Sequence, residues 1–476
     1  MLFNTLEFLL FFPIVAIGYY AMGGGNRLSN NWLLIASYYF YINLKPVYAL
    51  ILLASTLITF VCGLLLERNG DRERKKKTIL VICLALNFSI LFIFKYYNFI
   101  NGSIESLIAA AGLKWNVPYL NVLLPVGISF FTFQSAGYMI DVYRGTVKAE
   151  RNFLTYALFV SFFPVILAGP IQRSKILIPQ LKEKHPLLYD NVIGGLKMML
   201  WGYFMKLCVA DRLGIYVDAV FNNLVHHNGT TIGLASLLYT IQIYGDFAGY
   251  SLVALGGAKC MGFNLPENFH RPYFSKSIKE FWKRWHIGLS SWFMEYLYFP
   301  LGGSRVKYPR MLMNLMIVFL VSGLWHGAAW TFIVWGGLHG VYLVIYNLLK
   351  RGKLTIEDKC GDGKISSILQ VAVCFVLVSL AWIFFRAESV QDAFFAVKDI
   401  FTSVGSPFVV VAPVLIPGIL SLMLLIAKDW VDEYHPQIKL LQSDKKVIGL
   451  VTSLCLCAYV LLLGVLGGGS FIYFQF

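Results

Sequence analysis

The sequence has 476 residues, of which 58% are hydrophobic and only 14% are charged. This composition excludes an ordinary soluble protein and is typical of a protein embedded in a lipid bilayer. The formal net charge of +15 does not indicate a nucleic-acid partner. The lysines and arginines cluster in short loops between apolar runs, as they do on the cytoplasmic side of membrane proteins.

Long runs without Asp, Glu, Lys or Arg predict the membrane elements in chain order. Most are about as long as the roughly 20 residues that a helix needs to cross the hydrocarbon core. After an apolar stretch at residues 8–22, they are residues 46–66, 78–94, 117–140, 152–172, 219–245, 311–349, 365–385, 401–427 and 447–476. We predict an all-α, polytopic integral membrane protein of roughly 10–12 helices, some short or re-entrant, forming a single domain over residues 1–476.

The run at residues 152–172 is not expected to be a simple span. The segments on either side of it are both basic, and both lie on the cytoplasmic side only if the run enters the membrane and turns back. Pro164 and the pair Gly169-Pro170 are suited to that turn. We therefore expect a re-entrant segment that is buried in protein.

The run at residues 311–349 contains two histidines and is too long for one span. A continuous helix over it would measure about 58 Å, nearly twice the thickness of a hydrocarbon core, so we expect a break at a glycine. The candidate positions are Gly323, Gly327, Gly336 and Gly337. Trp325 and His326 lie between the first two of these, beside a predicted helix break at membrane depth, where ionisable groups are usually functional.

His326 is the strongest catalytic candidate in the sequence. A desolvated, neutral imidazole accepts a proton at neutral pH, which suits a general base that takes a hydroxyl proton during acyl transfer. The alternative is a histidine that packs between helices and bonds a backbone carbonyl. For His339, further along the same run, we expect packing.

A mixed apolar and charged segment at residues 268–286 carries the second candidate, His286. Its second half predicts an amphipathic helix that lies at the cytoplasmic interface or inserts obliquely, with a capping box made by Ser277 and Glu280. The apolar face contains Ile278, Phe281, Trp282 and Trp285. Arg284 could hold an anionic donor beside His286, whereas the alternative is an interfacial histidine in an aromatic belt.

Asp246 and Gln134 are polar residues in otherwise apolar surroundings. An acid at membrane depth should face the protein interior. Asp246 therefore either pairs with an arginine such as Arg284 or Arg271 or lines a reaction chamber, and the sequence leaves both open. For Gln134 a structural hydrogen bond is the default. The eight cysteines have neither zinc nor redox spacing, so we expect no metal site and no structural disulfide.

A dense set of short motifs occurs between about residues 90 and 390. They are LPVGISFFTFQ (124–134), FFP (162–164), AGPIQR (168–173), YGDFAGYS (244–251), FWKRWH (281–286), YFPLGGSR (298–305), SGLWHG (322–327), WGGLHG (335–340) and WIFFR (382–386). Together they resemble the membrane-bound O-acyltransferase (MBOAT) family, and within it the bacterial branch that O-acetylates alginate and peptidoglycan.

The resemblance implies a ring of helices around a central tunnel, with a cytoplasmic thioester donor entering one mouth and an extracytoplasmic hydroxyl entering the other. It implies that His326 is the catalytic histidine and that His286 takes the second catalytic position. Acetyl-CoA is the implied donor, and no cofactor is expected to stay bound. The residues expected to bind substrate are Asp246, Trp325, Arg284, Trp285 and Gln134.

The resemblance also implies a partner and a location. An SGNH-type extracytoplasmic acetylase would accept the acyl group and pass it to a polysaccharide, beside the inner (cytoplasmic) membrane of a bacterium. The leading hypothesis is thus O-acetylation of a cell-surface or secreted polysaccharide. One alternative is D-alanyl transfer to teichoic acid by the same fold. Another is a transporter or export channel, which would require buried charges on several helices and internal repeats.

Overall fold

The computed structural model of the protein describes residues 1–167, 169–361, 363–409, 412–439, 441, 443, 445–467, 469 and 471–474, with the side chains of all of these except 360, 412–415 and 474. Ala168, which belongs to one of the motifs, lies outside the described residues. Throughout the described ranges the regular secondary structure is helical and no strand occurs, which confirms the predicted all-α class.

The described part of the chain forms 21 α-helices. In chain order they are α1 (Leu6–Ala21), α2 (Arg27–Ile42), α3 (Pro46–Arg68), α4 (Glu73–Leu91), α5 (Tyr97–Ala110), α6 (Ile128–Arg144), α7 (Phe153–Ser161), α8 (Phe163–Ile166), α9 (Ser174–Lys182), α10 (Tyr189–Tyr203), α11 (Asp211–Phe221), α12 (Gly229–Cys260), α13 (Ile278–Arg284), α14 (Ile287–Phe293), α15 (Tyr308–His326), α16 (Trp330–Arg351), α17 (Ile356–Cys360), α18 (Lys364–Arg386), α19 (Val390–Thr402), α20 (Ala412–Tyr434) and α21 (Lys446–Leu463). Wider π-helical segments occur at Phe92–Tyr96, Phe204–Ala210 and Met294–Tyr298, and 3-10 turns occur at Leu224–His226, Pro272–Phe274 and Ile472–Phe474.

Within the described part of the chain, seven helical stretches are long and apolar enough to cross a bilayer. They are Pro46–Arg68, Glu73–Ala110, Tyr189–Phe221, Tyr308–His326, Trp330–Lys359, Lys364–Arg386 and Lys446–Leu463. The chain is therefore a multi-pass membrane protein. The roughly 10–12 predicted helices included short and re-entrant ones, and the described residues contain two shorter apolar helical stretches as well, Leu6–Ala21 and Phe153–Ile166. Some apolar runs do not form one continuous helix; the run at 117–140, for example, becomes helical only at Ile128.

The chain divides into two compact units. The first comprises Met1–Gly195 and Gly257–Leu265, and the second comprises Leu196–Gly256 and Pro266–Phe476. Both predicted catalytic histidines lie in the second unit. The prediction of one domain over residues 1–476 stays a prediction.

In the first unit, α7, α8 and α9 are three short helices that follow one another with breaks between them. Asn152 caps α7 by accepting a hydrogen bond from the Leu154 N–H at 2.9 Å, and Pro164 lies in the first turn of α8. The two ends of this three-helix segment lie close together, because Glu150 before α7 and Lys182 at the end of α9 form an ion pair of 2.5 Å. The segment is thus buried and turns back within this unit, while its entry into the membrane stays a prediction.

In the second unit, α15 and α16 form a tight helical hairpin. The helix α15 ends at His326 and is followed by Gly327 in extended conformation, so one of the predicted breaks is present. Of the other three candidates, Gly323 lies inside α15, and Gly336 and Gly337 lie inside α16. A Cβ atom on Gly336 would lie 2.3 Å from the carbonyl oxygen of Phe319 on α15, so this glycine serves close helix contact instead of a break.

The helix α13 forms where the amphipathic pattern predicts it, but its N-terminal cap differs from the predicted one. The Ser277 hydroxyl caps it by accepting from the Glu280 N–H at 3.2 Å. The Glu280 carboxylate accepts from the Lys276 N–H at 2.8 Å and not from Ser277, so the predicted capping box is incomplete. The apolar face is buried against α16 and α18. Its aromatic side chains meet aromatic residues of those helices, so the apolar face packs against protein. The position of this helix at the membrane interface stays a prediction.

Candidate functional site

His326 is the last residue of α15 and is enclosed by aromatic rings. Only 2% of its surface is exposed. The centroid of its imidazole lies 4.8 Å from that of Trp335, 5.6 Å from that of Phe385 and 5.5 Å from that of Tyr473. Chemistry at this imidazole is thereby screened from bulk water, which strengthens the polar interactions of a bound substrate.

His286 lies beside His326, with 6.3 Å between the two ring centroids. It occupies the turn between α13 and α14 and has a left-handed backbone, with φ 44° and ψ 54°. This conformation is uncommon for a residue other than glycine and costs roughly 1–3 kcal/mol. A cost of this kind, paid beside a second buried histidine, is typical of a functional position.

Asn268 holds the His286 turn in place. Its side-chain oxygen lies 3.0 Å from His286 Nδ1 and also accepts a hydrogen bond from the Gly288 N–H at 3.1 Å. Its backbone carbonyl accepts from the Ile287 N–H at 2.9 Å. Because the Asn268 oxygen is an acceptor in both side-chain contacts, Nδ1 of His286 carries the proton and Nε2 carries the lone pair.

Burial lowers the pKa of His286 to about 3, well below the ordinary value for histidine. The residue lies outside the seven candidate spans and is fully buried. The rings of Phe247 and Phe269 pack against it, with centroids 4.7 Å and 6.3 Å away. At physiological pH His286 is therefore a neutral hydrogen-bonding group with a fixed tautomer.

Asp246 pairs with a lysine and not, as one predicted alternative had it, with an arginine. Its Oδ1 lies 2.6 Å from Nζ of Lys206, which also lies 2.9 Å from Oδ1 of Asp211. The π-helical segment Phe204–Ala210 carries this lysine into the interior. The two arginines considered for Asp246 instead form ion pairs with Glu433, so they are neutralised elsewhere.

Trp325 is the predicted substrate-binding residue that the structure brings into contact with both histidines. Its ring centroid lies 5.0 Å from that of His326 and 5.9 Å from that of His286. It is 3% exposed. An indole in this position forms a shared wall for anything bound between the two imidazoles.

The remaining predicted substrate-binding residues make contacts within the protein. Arg284 forms an ion pair of 2.6 Å with Glu280 in addition to its pair with Glu433. Trp285 is fully buried and packs against Trp382 at 5.0 Å. Gln134 lies in the first unit, where its amide donates to the Phe159 carbonyl at 2.5 Å. Binding of substrate by these side chains stays a prediction.

The sequence analysis missed three residues that shape the site: Lys206, Asn268 and Tyr473. Lys206 had a detectable signal, because a lysine in an apolar stretch needs a buried partner. Asn268 and Tyr473 had none, since their roles depend on contacts with residues 18 and 147 positions away in the chain, namely His286 and His326.

Comparison with known proteins agrees with this arrangement. A model of the membrane-bound O-acyltransferase family matches residues 147–356, a range that contains both histidines. The chain is 38% identical over 397 residues to the probable alginate O-acetylase AlgI of Pseudomonas aeruginosa, covering 83% of this chain and 73% of the relative. It is 34% identical over 430 residues to the peptidoglycan O-acetyltransferase of Helicobacter pylori, covering 84% and 79%.

A more distant similarity extends to D-alanyl transfer. The chain is 27% identical over 283 residues to the teichoic acid D-alanyltransferase of Bacillus subtilis, covering 57% of this chain and 71% of the relative. In this all-α, multi-pass membrane protein two buried histidines adjoin, and the matching family model and relatives define its class as a membrane-embedded acyltransferase. The chain belongs to the membrane-bound O-acyltransferase family.

Proposed function

We propose that this protein is an O-acetyltransferase that acts on a cell-surface or secreted polysaccharide in a bacterial cytoplasmic membrane. The acyl group comes from a cytoplasmic thioester, acetyl-CoA, and leaves on an extracytoplasmic hydroxyl. The observation that carries the proposal is the pair of buried imidazoles 6.3 Å apart in a chain whose relatives include O-acetylating enzymes.

His326 acts as the general base in this proposal. It takes the proton from the acceptor hydroxyl as the oxygen attacks the thioester carbonyl, which gives a tetrahedral intermediate. Collapse of the intermediate breaks the carbon–sulfur bond, and the departing thiolate recovers the proton from the imidazolium. Holding both reactants against one imidazole supplies proximity as well as proton transfer.

His286 acts as the second catalytic group and has a different role. With its Nδ1 proton directed to Asn268, its Nε2 accepts a hydrogen bond and does not donate one. It therefore orients a hydroxyl other than the reacting one, such as a neighbouring hydroxyl of the acceptor, because the proton of the reacting hydroxyl goes to His326. Trp325, in contact with both imidazoles, limits the space in which that hydroxyl can lie.

The proposal includes a passage to His326 from each side of the membrane and an SGNH-type extracytoplasmic acetylase as the acceptor of the acetyl group. A passage is required because the charged donor does not cross the lipid core, which strongly disfavours charge. A separate acetylase would carry the acetyl group onward to polysaccharide.

Replacement of His326 tests the assigned role. We expect His326→Gln to lower the ester-linked acetate on cell-surface and secreted polysaccharide by about 10²- to 10⁴-fold, the usual contribution of a general base. His339→Gln is a matched control, because His339 is also a buried histidine of the hairpin and has a packing role: it accepts a hydrogen bond from the Trp282 indole at 3.3 Å and lies against the Trp335 ring at 5.0 Å. We expect this control to keep most of the acetate.

Both variants should be compared at matched membrane levels, with the acetate released by mild alkali. Normal acetylation in His326→Gln would refute the proposed base. The D-alanyl alternative, to which the more distant relative points, predicts ester-linked D-alanine in place of acetate. Measuring both esters from the same cells therefore separates the two activities.

A further inference from the structure

The segment Phe471–Tyr473 forms one wall of the His326 site. The ring of Tyr473 lies 5.5 Å from that of His326, 4.4 Å from that of Phe247 and 5.9 Å from that of Phe385. This short stretch follows the last long helix, α21, and contributes only one 3-10 turn of its own. A segment with so little internal structure needs an external anchor to hold an aromatic ring at a catalytic site.

The anchor is made by the backbone of the segment and two buried ionised side chains. The N–H of Ile472 donates to Oδ2 of Asp246 at 2.7 Å. The ammonium of Lys206 donates to the carbonyl oxygen of Gly469 at 3.2 Å. Phe471 stacks on Tyr250 with 4.7 Å between centroids and 19° between planes, so an apolar contact adds to the two polar ones.

The composition of the ion cluster explains why it binds backbone. Lys206, Asp211 and Asp246 are buried together, with Lys206 2% and Asp246 1% exposed. The two carboxyl groups offer more acceptor sites than the single lysine satisfies. The Ile472 N–H supplies a donor to one of them. Stability alone does not explain why charged side chains occupy these positions, because apolar side chains of similar volume are often as stabilising as buried ion pairs.

We propose that Asp246, supported by Lys206, is a positioning residue that anchors the segment Phe471–Tyr473 as a wall of the acyl-transfer site. Asp246 touches neither histidine ring in this role. It acts through the Ile472 N–H, which fixes the ring of Tyr473 beside His326. The inference rests on the proposed acyl transfer at His326, and it assigns a purpose to the buried aspartate that the acyl-transfer chemistry does not use.

Three variants of the full-length protein separate this role from general stability. Asp246→Ala removes the acceptor of the Ile472 N–H. Asp246→Asn keeps an acceptor oxygen and leaves Lys206 paired with Asp211. Asp211→Asn is the matched control, since it removes one negative charge from the same cluster and leaves the bond between Asp246 and Ile472 intact.

Hydrogen exchange of the peptide that contains Ile472, measured by mass spectrometry in lipid nanodiscs, reports the anchor directly. We expect exchange in Asp246→Ala to accelerate roughly tenfold or more, the usual effect of losing a hydrogen bond to a charged group. Asp246→Asn and Asp211→Asn should keep most of the protection. Ester-linked acetate should fall by on the order of 10- to 100-fold in Asp246→Ala, as for a small displacement of a catalytic wall, and far less in the other two.

Each remaining outcome overturns the inference. Unchanged exchange in Asp246→Ala would show that the carboxylate is not the anchor. Fast exchange with normal acetylation would show that the wall is not needed for transfer. Equal losses in Asp246→Ala and Asp211→Asn would assign the cluster to stability alone. Absence of ester-linked acetate with the unsubstituted protein would instead refute the proposed function, while the exchange measurement would still report on the anchor.

Discussion

A single methyl group in the hairpin of α15 and α16 should disturb catalysis. In Gly336→Ala the new Cβ would lie 2.3 Å from the Phe319 carbonyl oxygen and 3.0 Å from the Cα of Gly323. Both neighbours are backbone and cannot rotate away. An ordinary contact begins at 3.4 Å, so the two helices must separate by about 1 Å.

The separation has two consequences of different size. Overpacking of this kind typically costs about 1–3 kcal/mol of stability. The same shift moves Trp335, which precedes the substituted glycine on α16, relative to His326 at the end of α15, where the two rings now lie 4.8 Å apart. A displacement of about 1 Å at a catalytic group costs up to roughly 10²-fold in rate. We therefore expect activity to fall more steeply than stability.

Gly337→Ala provides the control in the next position of the same helix. There the nearest atom to a new Cβ is Cδ2 of Leu320 at 3.7 Å, an ordinary contact with a flexible side chain. Alanine should stabilise the helix by about 0.5–1 kcal/mol relative to glycine. We expect normal acetylation and equal or higher thermal stability.

The assay measures both properties on the same samples. Thermal unfolding of the purified proteins in detergent gives stability, and ester-linked acetate on polysaccharide gives activity. The reasoning would be refuted if Gly336→Ala were as stable and as active as Gly337→Ala, because the hairpin would then tolerate a side chain where the backbones meet.

Two further predictions concern His286. Burial lowers the pKa of His286 to about 3, so between about pH 6.5 and pH 3 the unfolded chain binds a proton that the folded protein does not, and stability falls as the pH falls. His286→Asn should remove about 2 kcal/mol of that loss at pH 5. Between pH 7.5 and pH 5 the unfolding temperature of the variant should therefore fall less than that of the unsubstituted protein, and an equal fall would contradict the prediction. Asn268→Leu removes the acceptor of the Nδ1 proton and should lower acetylation about 10-fold or more, an effect in the range of lost orienting partners, while Asn268→Asp should keep part of it. Equal activity of the leucine and aspartate variants would argue against the orienting role.

The sequence was sufficient to locate His326 at a helix end. A charge-free run nearly twice as long as a bilayer is thick has to break, and glycines limit where it can do so. The same run could not show which glycines break it. Gly327 ends α15, whereas Gly336 lies inside α16, because the choice depends on which backbone atoms of the partner helix come close.

The partner of Asp246 shows a different limit. Membrane burial predicts that an acid must find a cation or a hydroxyl, and that expectation was correct. Which cation pairs with Asp246 depended on two further features. The π-helical segment carries Lys206 inward, and Glu433 forms ion pairs with Arg284 and Arg271. A hydrophobicity pattern contains neither fact, since both arise from pairings between distant parts of the chain.

The two histidines are held by different backbone and hydrogen-bond supports, although the Trp325 ring contacts both of them. The position of His326 follows from backbone contact within the hairpin, where Gly336 meets Phe319. The orientation of His286 follows from hydrogen bonds to Asn268. Free-energy effects at independent sites usually add, whereas effects within one catalytic unit do not. Both supports can be removed singly and together. If the losses of stability then add but the losses of rate do not, the two imidazoles are parts of one reaction centre.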